Sequence, residues 1–525
     1  MKPYLLLGDE AIAQAAIDAG ISGVFAYPGT PSTEILEYIQ RSKEAAGAGV
    51  RARWSANEKT AMEEALGMSF AGKRALVCMK HVGLNVASDP FINSAITGAN
   101  GGLVVVAADD PSMHSSQNEQ DSRFYGSFAQ VPFFEPSSQQ EAYDVALHAF
   151  DLSERDGVPV LLRLTTRMAH SRADVVRPSG TPRPQNPLKF PADPRRYVLL
   201  PAIARRNYAE LVVKFRRFEE DAERSPWNVL EDGPDHALGI VACGIAVNYL
   251  REAFRGGPCP HPVLKIVQYP APRRLLAKLV QSCKAVLVLE DGYPLVEDLI
   301  RGIGNAGTAV HGRLDGRLPR AGELDPNVVA AALGRPFRAA AEAPPEVVIR
   351  PPILCAGCPH DNMFEFLNEA MKDHPEGRVF SDIGCYTLGA LPPHEAINSC
   401  VDMGASITMA KGAAEAGVHP SVAVIGDSTF VHSGITGLVD IVEDQTPVTI
   451  IISDNLVTGM TGGQATPVAG RLEQVCAGIG VAPGHLHVIE PLPAKHKANV
   501  ELLRRELEYG GPSVIISRRP CVHYR

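Results

Sequence analysis

The chain has 525 residues, too many for one ordinary domain and enough for about three or four at roughly 150 residues each. Its 50 Lys and Arg against 59 Asp and Glu leave a formal net charge of -9, so it lacks the basic excess of a nucleic-acid binder. Hydrophobic residues at 45% and charged residues at 21% exclude the disordered and fibrous classes.

The opening MKPYLLLGDE has too short an apolar stretch for a signal peptide. The longest apolar runs, such as 448–452, fall far short of the roughly 20 residues that a membrane helix needs. A cytoplasmic protein with no membrane span is expected. Over residues 1–177, short β-branched runs (GVFAY at 23–27, RALVCM at 74–79, LVVVA at 103–107, PVLLRL at 159–164) alternate with helical patterns. That alternation predicts βαβ units and a parallel sheet. Residues 178–196 carry six prolines among polar residues and can continue neither element. With the charged helical stretch 201–224 they make 178–232 a linker and helix. A second α/β pattern fills 233–342, with ALGIVA at 237–242 and AVLVLE at 285–290 as buried strands. Ala-rich, Pro-punctuated residues 336–352 close it off. The third pattern spans 343–525, its best strands being VAVIGD at 422–427 and VTIIIS at 448–453. The expected class is α/β with three open parallel-sheet domains.

The strand at 422–427 ends in Gly426-Asp427-Ser428, a helical stretch follows at 435–443, and the next buried strand ends in Asp454-Asn455. Ligands of open α/β sheets bind at the carboxyl ends of strands, where Asp427 and Asn455 would emerge together. A carboxylate and an amide oxygen suit Mg²⁺, with the Val457 carbonyl completing the protein's share. Gly426 would let the backbone approach a diphosphate, and Gly404-Ala405-Ser406, opening a helix, would offer amides to the same anion. The simpler reading is a strand-terminating turn with an Asp cap. Within the helix predicted over 57–71, Glu58 shares a face with Ala61, Met62 and Ala65, whereas Glu63 and Glu64 project elsewhere. Glu58 is therefore the buried carboxyl, unless it merely complements the helix dipole.

Of the ten cysteines, Cys78, Cys243, Cys259, Cys283 and Cys476 are scattered and read as small buried hydrophobes. Cys355, Cys358, Cys385 and Cys400 crowd together behind a CxxC, with Cys521 near the terminus. Zinc, a redox dithiol and iron–sulfur ligation share this pattern.

The GDS turn followed by Asn is similar to the thiamine-diphosphate signature, GDG followed by Asn. Together with YPGTPS at 27–32, ANEKTAMEEALG at 56–67, MKHVGLN at 79–85, ADDPSMHSSQNEQDSR at 108–123, CAGCPH at 355–360, DIGCYTLG at 382–389 and MTGGQATP at 460–467, it resembles the 2-oxoacid:ferredoxin oxidoreductase family, in its indolepyruvate-type branch. The resemblance implies a thiamine cofactor between a pyrimidine-binding domain (1–177) and a diphosphate-binding domain (343–525), with a transketolase-C-like domain at 233–342. It assigns Glu58 to cofactor activation and cofactor binding, and Thr30 to the oxoacid carboxylate, where a helix-capping role competes. Lys80 and His81 would face the same cleft, with a surface loop as the alternative; His432 is similar in kind. The diphosphate and Mg²⁺ would take Gly404, Ala405, Ser406, Gly426, Asp427, Ser428, Asn455 and Val457. Cys355, Cys358, Cys385 and Cys521 would ligate a [4Fe–4S] cluster, with Cys400 in reserve.

The implied activity is oxidative decarboxylation of an arylpyruvate, such as indolepyruvate, to acyl-CoA and CO₂ through a thiamine-bound enamine, with electrons passing through the cluster to ferredoxin. Family members usually continue into a two-cluster ferredoxin module, and this sequence has no repeated CxxCxxC run. The expectation is that electrons leave through a partner subunit or directly to a carrier. A small β/γ-type subunit and coenzyme A are the implied partners, around a dimer of this chain within a hetero-oligomer. A non-oxidative thiamine decarboxylase and a non-catalytic cofactor-binding scaffold are the alternatives.

Overall fold

The structure is a computed structural model describing residues 3–178, 182–303, 307–336, 344–345, 347–348 and 352–524. The chain separates into two compact units, Met1–Ala341 and Glu342–Arg525. It is an α/β protein whose main sheets have seven, five and six strands and are mostly parallel. No helix among the described residues is long and apolar enough to cross a membrane.

In the first unit the seven-stranded sheet runs Gln268–Tyr269, Phe133–Phe134, Val160–Thr165, Leu103–Asp109, Ala75–Lys80, Gly23–Ala26, Arg51–Trp54. Every pairing is parallel except that of Gln268–Tyr269 with Phe133–Phe134. The three central strands are buried along their whole length, as a sheet with helices on both faces requires. The five-stranded sheet runs Ala309–His311, Ala285–Leu289, Gly239–Cys243, Val263–Ile266, Val229–Glu231, with only the last pairing antiparallel. Three domains of similar size were expected, yet the first two sheets share one compact unit. The strand Gln268–Tyr269 explains this: it leaves the five-stranded sheet's neighbourhood to extend the edge of the seven-stranded one. The boundary expected at residue 342 lies outside the described residues, as does most of 336–352.

The proline-rich segment forms neither helix nor strand where it is described, but it is strapped to the first sheet's helices. The Arg183 amide donates to the Asp18 carbonyl at 2.9 Å, the Lys189 amide to the Ala71 carbonyl at 3.0 Å, and Tyr197 stacks on Phe70 with ring centroids 3.8 Å apart. The charged helix spans Pro201–Glu223 and buries Leu211, Phe218 and Ala222 along one stripe.

A buried ionic joint ties the first two sheets. Arg123 donates to Asp121, to Glu290 at 2.8 Å and to the Tyr293 carbonyl at 2.8 Å. Arg163 donates to Asp109 at 2.6 Å, to Glu135 and to the Asp291 carbonyl at 3.0 Å. Burial would raise the Asp121 carboxyl, but Arg123 and Arg163 overcome it and hold it well below the usual carboxylate range. The segment ADDPSMHSSQNEQDSR thus supplies Asp109, Asp121 and Arg123 to an interior joint.

The second unit is a six-stranded, wholly parallel sheet ordered Ser399–Cys400, Arg378–Ser381, Ser421–Gly426, Val448–Asp454, Ser513–Arg518, Leu486–Ile489. Gly426 pairs with Ser453, which sets Asp427 level with Asp454 at adjacent strand ends.

Candidate functional site

In the first unit, the carboxyl edge of the seven-stranded sheet gathers the expected residues. Thr30 lies in the turn after Gly23–Ala26. The Ser32 hydroxyl donates to the Gly29 carbonyl at 2.8 Å, and Thr33 Oγ1 accepts from the Gly29 amide at 3.1 Å. These bonds close the turn onto Gly29, and the N-cap position of helix Thr33–Arg41 is Ser32, not Thr30, with no side-chain cap hydrogen bond. The next βα connection leads to helix Glu58–Phe70, whose N-cap Asn57 accepts from the Thr60 amide at 2.8 Å. Glu58, Ala61, Met62 and Ala65 are buried and Glu63 and Glu64 are exposed, as the helical period demands. A Cβ on Gly83 would come within 2.6 Å of Glu58 Oε1, so Gly83 is the space in which this carboxyl sits.

Lys80 ends its strand and His81 opens the next helix, rather than both following in a loop. Both are buried. Lys80 Nζ donates to the Ser115 carbonyl at 2.6 Å, and burial lowers its ammonium to about 8 despite the Asp110 carboxylate. His81 Nε2 lies 3.2 Å from the Asn118 carbonyl, and its buried Nδ1 has no hydrogen-bond partner. An orphaned ring nitrogen at a ligand-binding sheet edge fits a contact to something bound there.

In the second unit, Asp427 is buried at the tip of Ser421–Gly426. Its oxygens accept from the Ser428 amide at 2.7 Å and the Leu456 amide at 3.0 Å. Leu456 reaches it from a left-handed conformation (φ 68°), which a bulky non-glycine residue adopts only at a cost of about 1–3 kcal/mol. Asn455 Oδ1 accepts from the Val457 amide at 3.2 Å. Burial, and then the neighbouring Asp454 carboxylate, push the Asp427 carboxyl well up. Asp454 has its own cation, Arg518, whose Nε donates to it at 2.6 Å; among the described residues, no ion pair joins Asp427 to a Lys, Arg or His. A buried carboxyl raised by a like charge, beside an amide oxygen, fits a hard divalent ion such as Mg²⁺.

Two of the residues expected at the diphosphate also have structural roles. The turn at Gly404 (φ 88°) does open helix Ala405–Glu415, but its amides are occupied. Those of Gly404 and Ser406 bond the carboxylate of Asp382, and that of Ala405 donates to the Asp402 carbonyl at 3.2 Å. Asp382 also accepts from the Ser406 and Tyr386 hydroxyls. A side-chain carboxyl already fills the helix end, and burial holds it up at about 7. Gly426, for its part, is required by packing, since a Cβ there would meet the Tyr386 ring at 2.6 Å. Ser428 bonds Thr458 at 2.9 Å across the site, and His432 is buried in the irregular turn Phe430–Gly434 beside Ser433.

The cysteines converge on the Asn455 loop. After the last strand the chain runs along that loop, with the Arg519 amide donating to the Asp454 carbonyl and the Cys521 amide to the Asn455 carbonyl, each at 3.1 Å. Across it, a Cβ on Gly459 would lie 3.1 Å from Cys385 Sγ. Burial raises the Cys385 thiol to about 11, and Cys358, Cys521 and Cys355 each add to the rise. Burial raises Cys358 to about 11 as well, with Cys355 and Cys521 among the contributors. The four thiols thus lie within one another's electrostatic reach. Cys400 stands apart, on a strand beside the Asp382 carbonyl. Three thiols within electrostatic reach of Cys385, with no disulfide among the four, fit a four-thiolate cluster, whose assembly would displace their protons. Sequence did not single out His360, buried with Nδ1 3.1 Å from Cys358 Sγ, because nothing in CAGCPH tells which way a ring faces.

Residues 14–219 match the family described as pyruvate flavodoxin/ferredoxin oxidoreductase, thiamine diphosphate-binding, and residues 382–516 match the C-terminal thiamine-pyrophosphate-binding domain of thiamine pyrophosphate enzymes. The chain is 40% identical to an indolepyruvate oxidoreductase subunit IorA of Archaeoglobus fulgidus, over 99% of this chain and 86% of that one. It is 38% identical to the IorA subunit of Pyrococcus abyssi, over 99% and 86% respectively. A 2-oxoglutarate:ferredoxin oxidoreductase from Magnetococcus marinus shares the fold with a TM-score of 0.52 at 16% identity, covering 63% of this chain and 65% of that one. By full-length identity at this level, the chain belongs to the family of indolepyruvate oxidoreductase IorA subunits, within the thiamine-dependent 2-oxoacid:ferredoxin oxidoreductases.

Proposed function

We propose that this chain is the thiamine-bearing subunit of an enzyme that oxidatively decarboxylates an arylpyruvate, such as indolepyruvate, to acyl-CoA and CO₂, with electrons leaving through a [4Fe–4S] cluster to ferredoxin or a partner subunit. The observation that carries the redox reading is the convergence of Cys355, Cys358, Cys385 and Cys521 on the Asn455 loop. A decarboxylase working without redox chemistry has no use for four thiols beside its metal loop.

Thiamine diphosphate, when bound, supplies a carbanion centre at its thiazolium C2. The chain's own residues do the rest. Asp427, Asn455 and the Val457 carbonyl hold Mg²⁺, and the backbone from Gly426 to Ser428 approaches the diphosphate. Asp382 fixes the Gly404–Ser406 turn from within. Glu58, buried against Gly83, shares a proton with the pyrimidine N1′. Thr30 binds the oxoacid carboxylate, and Lys80 and His81 place charge and a ring nitrogen at the same sheet edge. Residues 1–177 act as the pyrimidine-binding domain, 343–525 as the diphosphate-binding domain, and 233–342 as a transketolase-C-like unit. A small β/γ-type subunit, coenzyme A and a ferredoxin-type acceptor complete the system around a dimer of this chain. Ten cysteines with no disulfide suit a reducing cytoplasm.

Iron and sulfide analysis of the anaerobically purified complex tests this reading. About four irons per chain are expected, and Cys355→Ser should lose the broad visible absorption and acceptor-coupled turnover together. Absence of iron, with turnover intact in Cys355→Ser, would remove the redox assignment.

A further inference from the structure

Away from the thiols and the magnesium turn, three side chains from separate helices converge at the base of the Thr30 turn. Asp9 lies in the first turn of helix Gly8–Asp18, Glu34 in the first turn of Thr33–Arg41, and His170 ends Thr166–His170. One ligand atom from each lies within 4.8 Å of the others, the one such His/Cys/Asp/Glu group of three at that spacing among the described residues. Asp9 is wholly buried, and both of its carboxyl oxygens lack a hydrogen-bond partner. Burial, and then the Glu34 and Glu10 carboxylates, push the Asp9 carboxyl well up, so it holds a proton that a bound cation would displace, and its oxygens remain without a hydrogen-bond partner. Glu34 Oε2 is paired with His170 Nε2 at 3.5 Å, and that contact holds the Glu34 carboxyl below its ordinary value and the imidazole above its own, so Asp9 is the group of the three that lacks a partner. The nearby Glu10 carboxylate is engaged elsewhere, accepting from the Leu7 amide at 2.9 Å.

We propose that Asp9, Glu34 and His170 form a second metal site, for a first-row divalent transition ion such as Mn²⁺ or Zn²⁺. Two carboxylates and one imidazole are a mixed O/N set, which such ions accept and which Mg²⁺, preferring oxygen alone, does not. The two acidic ligands match the ion's charge, so the buried Asp9 gains the counter-charge it lacks. Bonds of about 2.0–2.2 Å place ligand atoms closer together than 4.8 Å, and the half-exposed Glu34 and His170 can close that gap by side-chain rotation. Their exposure also gives an ion a way in. Bound there, the ion clamps three helix ends beneath the turn that carries Thr30. It is a positioning element, four residues from Thr30 along the chain.

The test uses the full-length chain saturated with Mg²⁺ and thiamine diphosphate and with its thiols occupied by cluster, titrated with Mn²⁺ and separately with Co²⁺. The wild type should take up one further ion per chain, the Co²⁺ form lacking the near-ultraviolet thiolate band. Asp9→Asn and Glu34→Gln should each weaken this uptake by at least about tenfold while leaving the Mg²⁺ content unchanged. Glu34 is half-buried, so its variant keeps the test open if Asp9→Asn does not fold. No further ion in the wild type, or equal uptake in wild type and Glu34→Gln, would overturn the site.

Discussion

Arg123 and Arg163 in the first unit and Asp427 in the second are all buried, but their surroundings differ in one respect. Each guanidinium arrives with carboxylates of its own chain, Asp121, Asp109, Glu135 and Glu290, and the donors are spent on them and on two carbonyls. Asp427 meets amides and a second carboxylate, Asp454, whose guanidinium partner is already engaged. Burial therefore has opposite meanings at the two places. Where the counter-charge is built in, it makes a joint between sheets; where it is not, it leaves a carboxyl whose chemistry fits a cation from outside.

The largest expected effect breaks the joint. Arg123→Leu removes the guanidinium shared by Asp121 and Glu290, leaving Asp121 with Arg163 and the Tyr293 amide and Glu290 with only the Val296 and Glu297 amides, and should cost about 3–5 kcal/mol, read as an earlier urea transition. Asp427→Asn should do the reverse: stability without Mg²⁺ is kept or raised, because the repulsion with Asp454 goes, while Mg²⁺ and thiamine diphosphate bind at least about 100-fold more weakly by calorimetry. A large loss of stability in Asp427→Asn would mean that the carboxylate is structural after all. The smallest effect concerns Asp382. Burial holds it near 7, above its unfolded value of about 3.9, so the folded state keeps a proton that the unfolded chain has lost. Its contribution is full below about pH 4 and disappears as pH rises through 7. The melting temperature should fall by a few degrees between pH 5 and pH 8, and Asp382→Asn should flatten that slope.

Features repeating within a few residues were legible in the sequence. The helical period set Glu58 apart from Glu63 and Glu64, and β-branched runs marked the central strands within one or two residues of their ends. Features closed over long separations were not. Arg51–Trp54 alternates charge with apolar residues and is half exposed, so it carries no core signature. The amides of Gly404 and Ser406 looked available because nothing local says that Asp382 will reach them. The left-handed Leu456 is hidden because leucine is an unusual choice for that conformation. The grouping of Asp9, Glu34 and His170 spans most of the first sheet's sequence and becomes visible only once three helices end at one place.

The strand Gln268–Tyr269, lent by the later part of the chain to Phe133–Phe134, has a consequence for manipulation of the protein. A fragment cut before residue 268 would expose Phe133 and Phe134 as an unpaired apolar ribbon, an invitation to self-association. The first half of the protein is thus not a transplantable module: a gene fusion or truncation that separates the two sheets should yield inclusion bodies, whereas one that keeps residues through Tyr269 retains its hem.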